Sequence, residues 1–223
     1  MDILRQHEIF EIEVLDKMNS AKVLEPLVFG GGTMLRLCHE NDRYSVDLDF
    51  WFIKRISQSK YFEKLRMALG KNYEITDSQM KLHTLLFECR SAEYPKRLKL
   101  EIRREIKDCD FQEKIAFSRF TTKQVLLKAH TLNQTMENKI KAFLDRGEIR
   151  DAFDIEFLLR RGVELPALID WQIKALHKRL GQFKERDFKV TLGSILEGEI
   201  RNYYVKQRFA YLEEKLVLMQ SQP

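Results

Sequence analysis

The 223-residue sequence predicts an α+β fold: a small mixed β-sheet core followed by a C-terminal helical bundle. Three observations carry that expectation. Up to about residue 132, short apolar runs alternate with period two and are separated by turn residues. From Asn133 onward, apolar residues recur at helical spacing. Strands first and helices after argue for α+β rather than for alternating βαβ units. The expected division is therefore 1–132 and 133–223, with 44% hydrophobic and 33% charged residues supplying a core and a solvated surface.

The elements follow in order. Ile3, Leu4, Phe10, Val14, Leu15 and Met18 predict an amphipathic helix packed on the core. Leu27–Phe29 reads as a short strand. Gly30, Gly31 and Gly32 make a turn, and Thr33–His39 opens a helix. Ser45–Ile53 is a second strand, with Val46, Leu48, Phe50 and Phe52 facing one way and Ser45, Asp47, Asp49 and Trp51 the other. Residues 56–69 read as a helix stopped by Gly70. His83–Cys89 and Arg97–Ile106 read as strands around Pro95, and Val125–Ala129 as a last short strand. Met136, Ile140, Phe143 and Leu144 mark a helix broken by Gly147. A second stripe runs from Ala152 to Leu159, Pro166 opens a further helix, and residues 195–219 form one long charged helix.

Composition narrows the function classes. Cys38, Cys89 and Cys109 are widely spaced with no C-x-x-C pair, which argues against a disulfide framework or a zinc cluster and for a reduced, cytoplasmic setting. The charged start MDILRQHEIFEIEV is not a secretion signal. No apolar run reaches membrane-spanning length, so no membrane partner is expected. The formal charge of +5 permits a nucleic-acid partner without requiring one.

Chemistry concentrates between Leu27 and Phe52. Asp47 and Asp49, two apart on a strand, project to one side. Adjacent carboxylates repel, and a cation between them keeps both ionised. Hard oxygen ligands suit Mg²⁺, which takes one or two carboxylates plus substrate phosphates. Glu101, on the polar face of the LKLEIR strand, is the candidate third acid of a two-metal clamp. Gly31 and Gly32 let backbone approach a ligand, and a helix N-terminus behind them favours an anion. Thr33 can cap that helix, bond a phosphate oxygen, or do both. Ser45 stands beside Asp47, where it can bond a phosphate or a backbone group. His7, His39, His83, His130 and His177 show no metal spacing.

G-G-T, then about a dozen residues, then S-x-D-x-D in an apolar strand resembles the DNA polymerase beta-like nucleotidyltransferase superfamily. Within it the chain is similar to the AbiEii/AbiGii toxin family of bacterial nucleotidyltransferases, through two further segments. In KLEIRRE, Glu101 takes the third-acid place, where relatives often carry Asp. Lys139–Leu159 resembles the family's lysine followed by R-x-x-x-R-D-x-x-D. The resemblance implies that Gly31, Gly32 and Thr33 cradle an NTP and that Asp47, Asp49 and Glu101 hold two Mg²⁺ ions. It makes Lys139 the nucleotide-contacting lysine, with Arg146, Arg150, Asp151 and Asp154 in the later motif. It implies transfer of a nucleoside monophosphate to an RNA acceptor such as the 3′ end of tRNA. The biological setting it implies is a toxin–antitoxin or abortive-infection system, with an antitoxin encoded nearby. The alternatives are a non-catalytic member that binds nucleotide or RNA, and the same chemistry on a protein or small-molecule acceptor.

Lys139 and Arg146, seven apart, share a helix face suited to phosphate charge, with Phe143 near it. Asp151 can cap the next helix. Arg150 and Asp154 are spaced as an ordinary i, i+4 ion pair, although Asp154 can equally hold Lys139 or a ribose. The basic C-terminal region, from Lys178 to Arg208 with tyrosines interleaved, can track an RNA backbone or simply be a solvated face.

Overall fold

The computed structural model describes residues 2–220. They form two compact units, Met1–Glu40 with Tyr44–Thr131, and Asn41–Arg43 with Leu132–Pro223. The short insertion has no local signature: after Glu40 the chain contributes Asn41, Asp42 and Arg43 to the second unit and then returns to the first.

The first unit is a seven-stranded mixed sheet with three helices. They are α1 (Ile3–Ser20), β1 (Leu27–Gly30), α2 (Gly31–His39), β2 (Asp47–Phe52), α3 (Gln58–Gly70), β3 (Glu74–Met80), β4 (Thr84–Arg90), β5 (Leu98–Arg103), β6 (Phe111–Phe117) and β7 (Gln124–His130). The strand order is β3-β4-β5-β2-β1-β7-β6. β2 runs parallel to β5, β1 runs parallel to β7, and the remaining pairs are antiparallel. Alternation builds the core. Leu48, Phe50 and Phe52 of β2 are buried beside Leu98, Leu100 and Ile102 of β5 and Leu85, Phe87 and Cys89 of β4. Phe29 packs on Phe50 with ring centroids 5.0 Å apart, and Phe52 meets Tyr61 of α3 at the same separation. Burial pushes the Cys89 thiol up to about 12, which keeps it an inert apolar side chain.

Two strands, β3 and β6, escape the sequence reading. Both are sheet edges whose side chains are mostly solvent-facing, so they lack the buried-exposed alternation that marks a strand.

The second unit is helical: α4 (Leu132–Arg146), α5 (Ile149–Arg160), α6 (Asp170–Gln182), a π-helical turn Asp187–Leu192, α7 (Gly198–Gln207) and α8 (Ala210–Gln220). Two expectations are corrected here. Pro166 does not open a helix: α6 begins at Asp170, after an extended stretch that suits the restricted residue before a proline. The C-terminal region is not one helix but two, broken at Arg208 with φ +51°. The break buries Phe209 against Phe183, Phe188 and Tyr204, which a straight, charged helix would not do. No helix among the described residues is long and apolar enough to cross a membrane.

Candidate active site

The pleat of β2 holds Asp47, Asp49 and Trp51 half-buried on one face while Leu48, Phe50 and Phe52 anchor the other. β5 lies parallel in register, pairing Asp47 with Lys99 and Asp49 with Glu101. Paired Cα atoms in a sheet stand roughly 4.8 Å apart, so these four side chains share one face. Glu101 is turned to Lys99, its Oε1 lying 2.5 Å from the ammonium. That hydrogen bond raises the Lys99 pKa; burial opposes it, and the carboxylates of Glu101, Asp47 and Asp49 add to the rise. A built-in cation thus sits at the edge of the acidic cluster. Lys99 was legible, being two residues before Glu101 and hence on the same face, but a search for ligands passes over it.

A further acid lies beneath. Glu11 of α1 is buried, and burial, followed by the charges of Glu8 and Asp47, drives its carboxyl well above the usual range. The imidazole of His7 contacts it at 3.6 Å and also reaches the carbonyl of Val46 at 2.9 Å.

The glycine turn closes onto these acids because β1 pairs antiparallel with β2, bringing Gly30 opposite Asp49. Gly31 has φ +77°, and a side chain there would overlap the Asp49 carboxylate. Gly30 is more than a turn residue. It is the last residue of β1, and a Cβ would come within 2.6 Å of the Trp51 ring and 2.7 Å of His130 Nδ1. Trp51 and His130 pack with centroids 4.8 Å apart, and burial lowers His130 to about 4, so it is a neutral wall. Helix α2 starts at Gly31, two residues before the position expected from the sequence, and its N-cap, Gly30, has no side chain. Thr33 is therefore inside the first turn. Its buried hydroxyl donates to the Asp47 carbonyl at 2.6 Å, tying the helix start to the D-x-D strand instead of capping. Gly32 is buried beside it, and Ser45 lies half-buried just ahead of β2, which begins at Asp47.

In the second unit the later motif forms a buried ion network. Asp154, fully enclosed, receives Arg43 Nε and Nη2 at 2.6 Å each, Asn41 Nδ2 at 2.9 Å and Lys139 Nζ at 2.7 Å. Burial alone would raise its pKa, but Arg43 and Lys139 outweigh that and hold it well below the usual carboxylate range. Asp151 takes Arg146 through two bonds of 2.7 and 2.8 Å, and Lys139 at 3.3 Å. Lys139 and Arg146 do share a face, and that face meets Asp151. Asp151 does not cap α5, whose N-cap is Glu148. Arg150 pairs with Glu148 at 2.5 Å and not with Asp154. Phe143 is buried in the core, while Leu144, expected in the same apolar stripe, is half-exposed. Asn41 and Arg43 were not anticipated: they lie more than a hundred residues from Asp154, and nothing local links them.

Among the described residues, no group of three His, Cys, Asp or Glu side chains is gathered ready for a metal. The donor chemistry of Asp47 and Asp49 still fits Mg²⁺, which needs only one or two carboxylates when a substrate supplies phosphate oxygens. Glu101 is engaged by Lys99 instead of converging with them.

The crystal structure of JHP933 from Helicobacter pylori superposes with a TM-score of 0.55 at 19% identity, covering 96% of this chain and 94% of that one. A second H. pylori chain, assigned as a nucleotidyltransferase, superposes at 0.53 with 20% identity, covering 93% and 97%. At such identities the likeness is one of fold. No curated protein matches the sequence. The sequence profile of the nucleotidyl transferase AbiEii toxins of type IV toxin–antitoxin systems matches residues 13–202. The chain belongs to this AbiEii family of nucleotidyltransferase toxins.

Proposed function

We propose that the protein moves a nucleoside monophosphate from an NTP to an RNA acceptor, the 3′ end of a tRNA in the first instance, with Mg²⁺ at Asp47 and Asp49. The observation that carries this reading is the junction of Gly30–Gly31 with Asp49, where only a residue without a side chain lets the helix start lie against the acid. Mg²⁺, when bound, neutralises phosphate charge during in-line attack. The rest falls to the chain. Backbone N–H groups at the start of α2, free of any side-chain cap, point a partial positive charge at the triphosphate. Thr33 fixes the distance between that helix start and β2. The acceptor hydroxyl oxygen forms its bond to the α-phosphorus as the bond to the β-phosphate oxygen breaks, and pyrophosphate leaves. Among the later cations, Arg146 keeps 45% of its side chain exposed and remains accessible to a phosphate, whereas Lys139 is enclosed. An antitoxin encoded nearby and action in the cytoplasm complete the proposal.

The test is transfer from α-labelled NTPs to total tRNA in the presence of Mg²⁺. Label should appear in nuclease-sensitive, protease-resistant product and vanish with chelator. Asp47→Ala should lower the rate by about 10²–10³, the usual cost of removing a group that stabilises transition-state charge. Parent-level labelling by that variant would refute the site. Protease-sensitive label would move the acceptor to a protein.

A further inference from the structure

Lys54 lies five residues beyond Asp49, roughly 15 Å of extended chain away from the glycine turn. There, just past the other end of the β1–β2 pair, a cavity of about 390 Å³ opens. Its rim carries Lys22, Lys54, Lys60 and Lys64, all exposed, against the single carboxylate of Glu25. Some exposed lysines of this protein pair with acids, Lys107 with Glu105, Lys123 with Asp16, Lys174 with Asp170 and Lys189 with Glu185. None of the four rim lysines forms such a pair among the described residues. Instead Lys64 Nζ donates to the Lys22 carbonyl at 3.2 Å, drawing two of them together, and a fifth lysine, Lys128, donates to the Glu25 carbonyl at 2.9 Å. Gathering like charges without acids costs energy that an anion in the cavity recovers.

The chemistry of the anion follows from the side chains. No arginine lines the cavity, so recognition falls to the ammonium groups, which bind phosphate as compact point charges. The floor is apolar: Pro26, Ile56 at 38% exposed, and the ring of Tyr61, whose hydroxyl is already committed to the Val23 carbonyl at 2.9 Å. The start of α3 opens on the same cavity, and the Ser57 hydroxyl turns to Ser59 instead of capping it.

We propose that this cavity is a second phosphate-binding site, separate from the Asp47–Asp49 face, for phosphate groups carried on an organic body: a nucleic-acid strand or a free nucleotide polyphosphate. It does not depend on the identity of the acceptor in the transfer reaction. The test is anisotropy of a labelled single-stranded RNA oligonucleotide with the full chain in chelator, where transfer is silent, together with calorimetry using inorganic tripolyphosphate. The variant is Lys22→Gln/Lys54→Gln/Lys60→Gln/Lys64→Gln. The control, Lys71→Gln/Lys81→Gln/Lys96→Gln/Lys107→Gln, removes the same charge from exposed positions elsewhere on the first unit.

The rim variant should bind at least tenfold more weakly than the control. Its slope of log affinity against log salt for RNA should fall by about 3, as expected for four lost single-strand phosphate contacts. Loss confined to RNA assigns a strand; loss confined to tripolyphosphate assigns a free polyphosphate. Equal losses in variant and control, or parent-like binding of both probes by the variant, overturn the proposal. Should the quadruple variant melt early, Lys54→Gln/Lys60→Gln carries the same test at half the change in slope.

Discussion

Two clusters of acids in this protein are built in opposite ways. On the β2–β5 face, Asp47, Asp49 and Glu101 stay half-buried, and the cation provided among them, Lys99, bonds Glu101. In the second unit, Asp151 and Asp154 have no exposed surface and are enclosed by Arg43, Lys139 and Arg146. Buried charge survives only when paired and hydrogen-bonded, and both carboxylates of the second cluster are so paired. The first keeps water access. Exposure thus distinguishes the two sets of carboxylates where residue type does not.

The largest test of that contrast is Asp154→Ala. It strands the buried charges of Arg43 and Lys139 and should cost about 3–5 kcal/mol in guanidinium unfolding, while Asp49→Ala in the same assay should change stability by less than about 1 kcal/mol. Comparable losses in the two variants would break the comparison.

His130 tests whether the wall beside the glycine turn is neutral. Its folded pKa, about 4, lies below the ordinary 6.5. The unfolded chain thus binds the extra proton between those values, so stability is full above pH 6.5 and is lost as pH falls toward 4. The loss amounts to at most about 3–4 kcal/mol. Urea midpoints at neutral and mildly acidic pH should show that drop in the parent and a smaller one in His130→Gln; an unchanged slope would mean that other groups set it.

The smallest effect concerns Lys99. If it stands in for part of the metal charge, Lys99→Gln should lower the Mg²⁺ concentration for half-maximal transfer by about threefold to tenfold, roughly 1 kcal/mol, with little change in maximal rate. A lower maximal rate at unchanged Mg²⁺ dependence would instead give Lys99 a place on the substrate.

Much of the face was legible. Alternation along β2 put Asp47, Asp49 and Trp51 together, and alternation along β5 did the same for Lys99 and Glu101, because side-chain direction in a strand is a local property. The helical stripe of α4 was legible for the same reason, although Leu144 at its end is half-exposed. The edge strands β3 and β6 were not, since a strand with two wet faces writes no alternation. Nor was the role of Thr33, whose hydroxyl partner is the backbone of a different element.

Sequence alone determined which way Asp47, Asp49, Lys99 and Glu101 point from their own strands, because period and turn chemistry act over a few residues. Only tertiary structure decided which of them meet. Parallel pairing set Asp49 against Glu101, antiparallel pairing set it against Gly30, and Arg43 found Asp154 across 111 residues. Such partners are chosen by competition among all the faces that must be buried, and no stretch of chain contains that competition by itself.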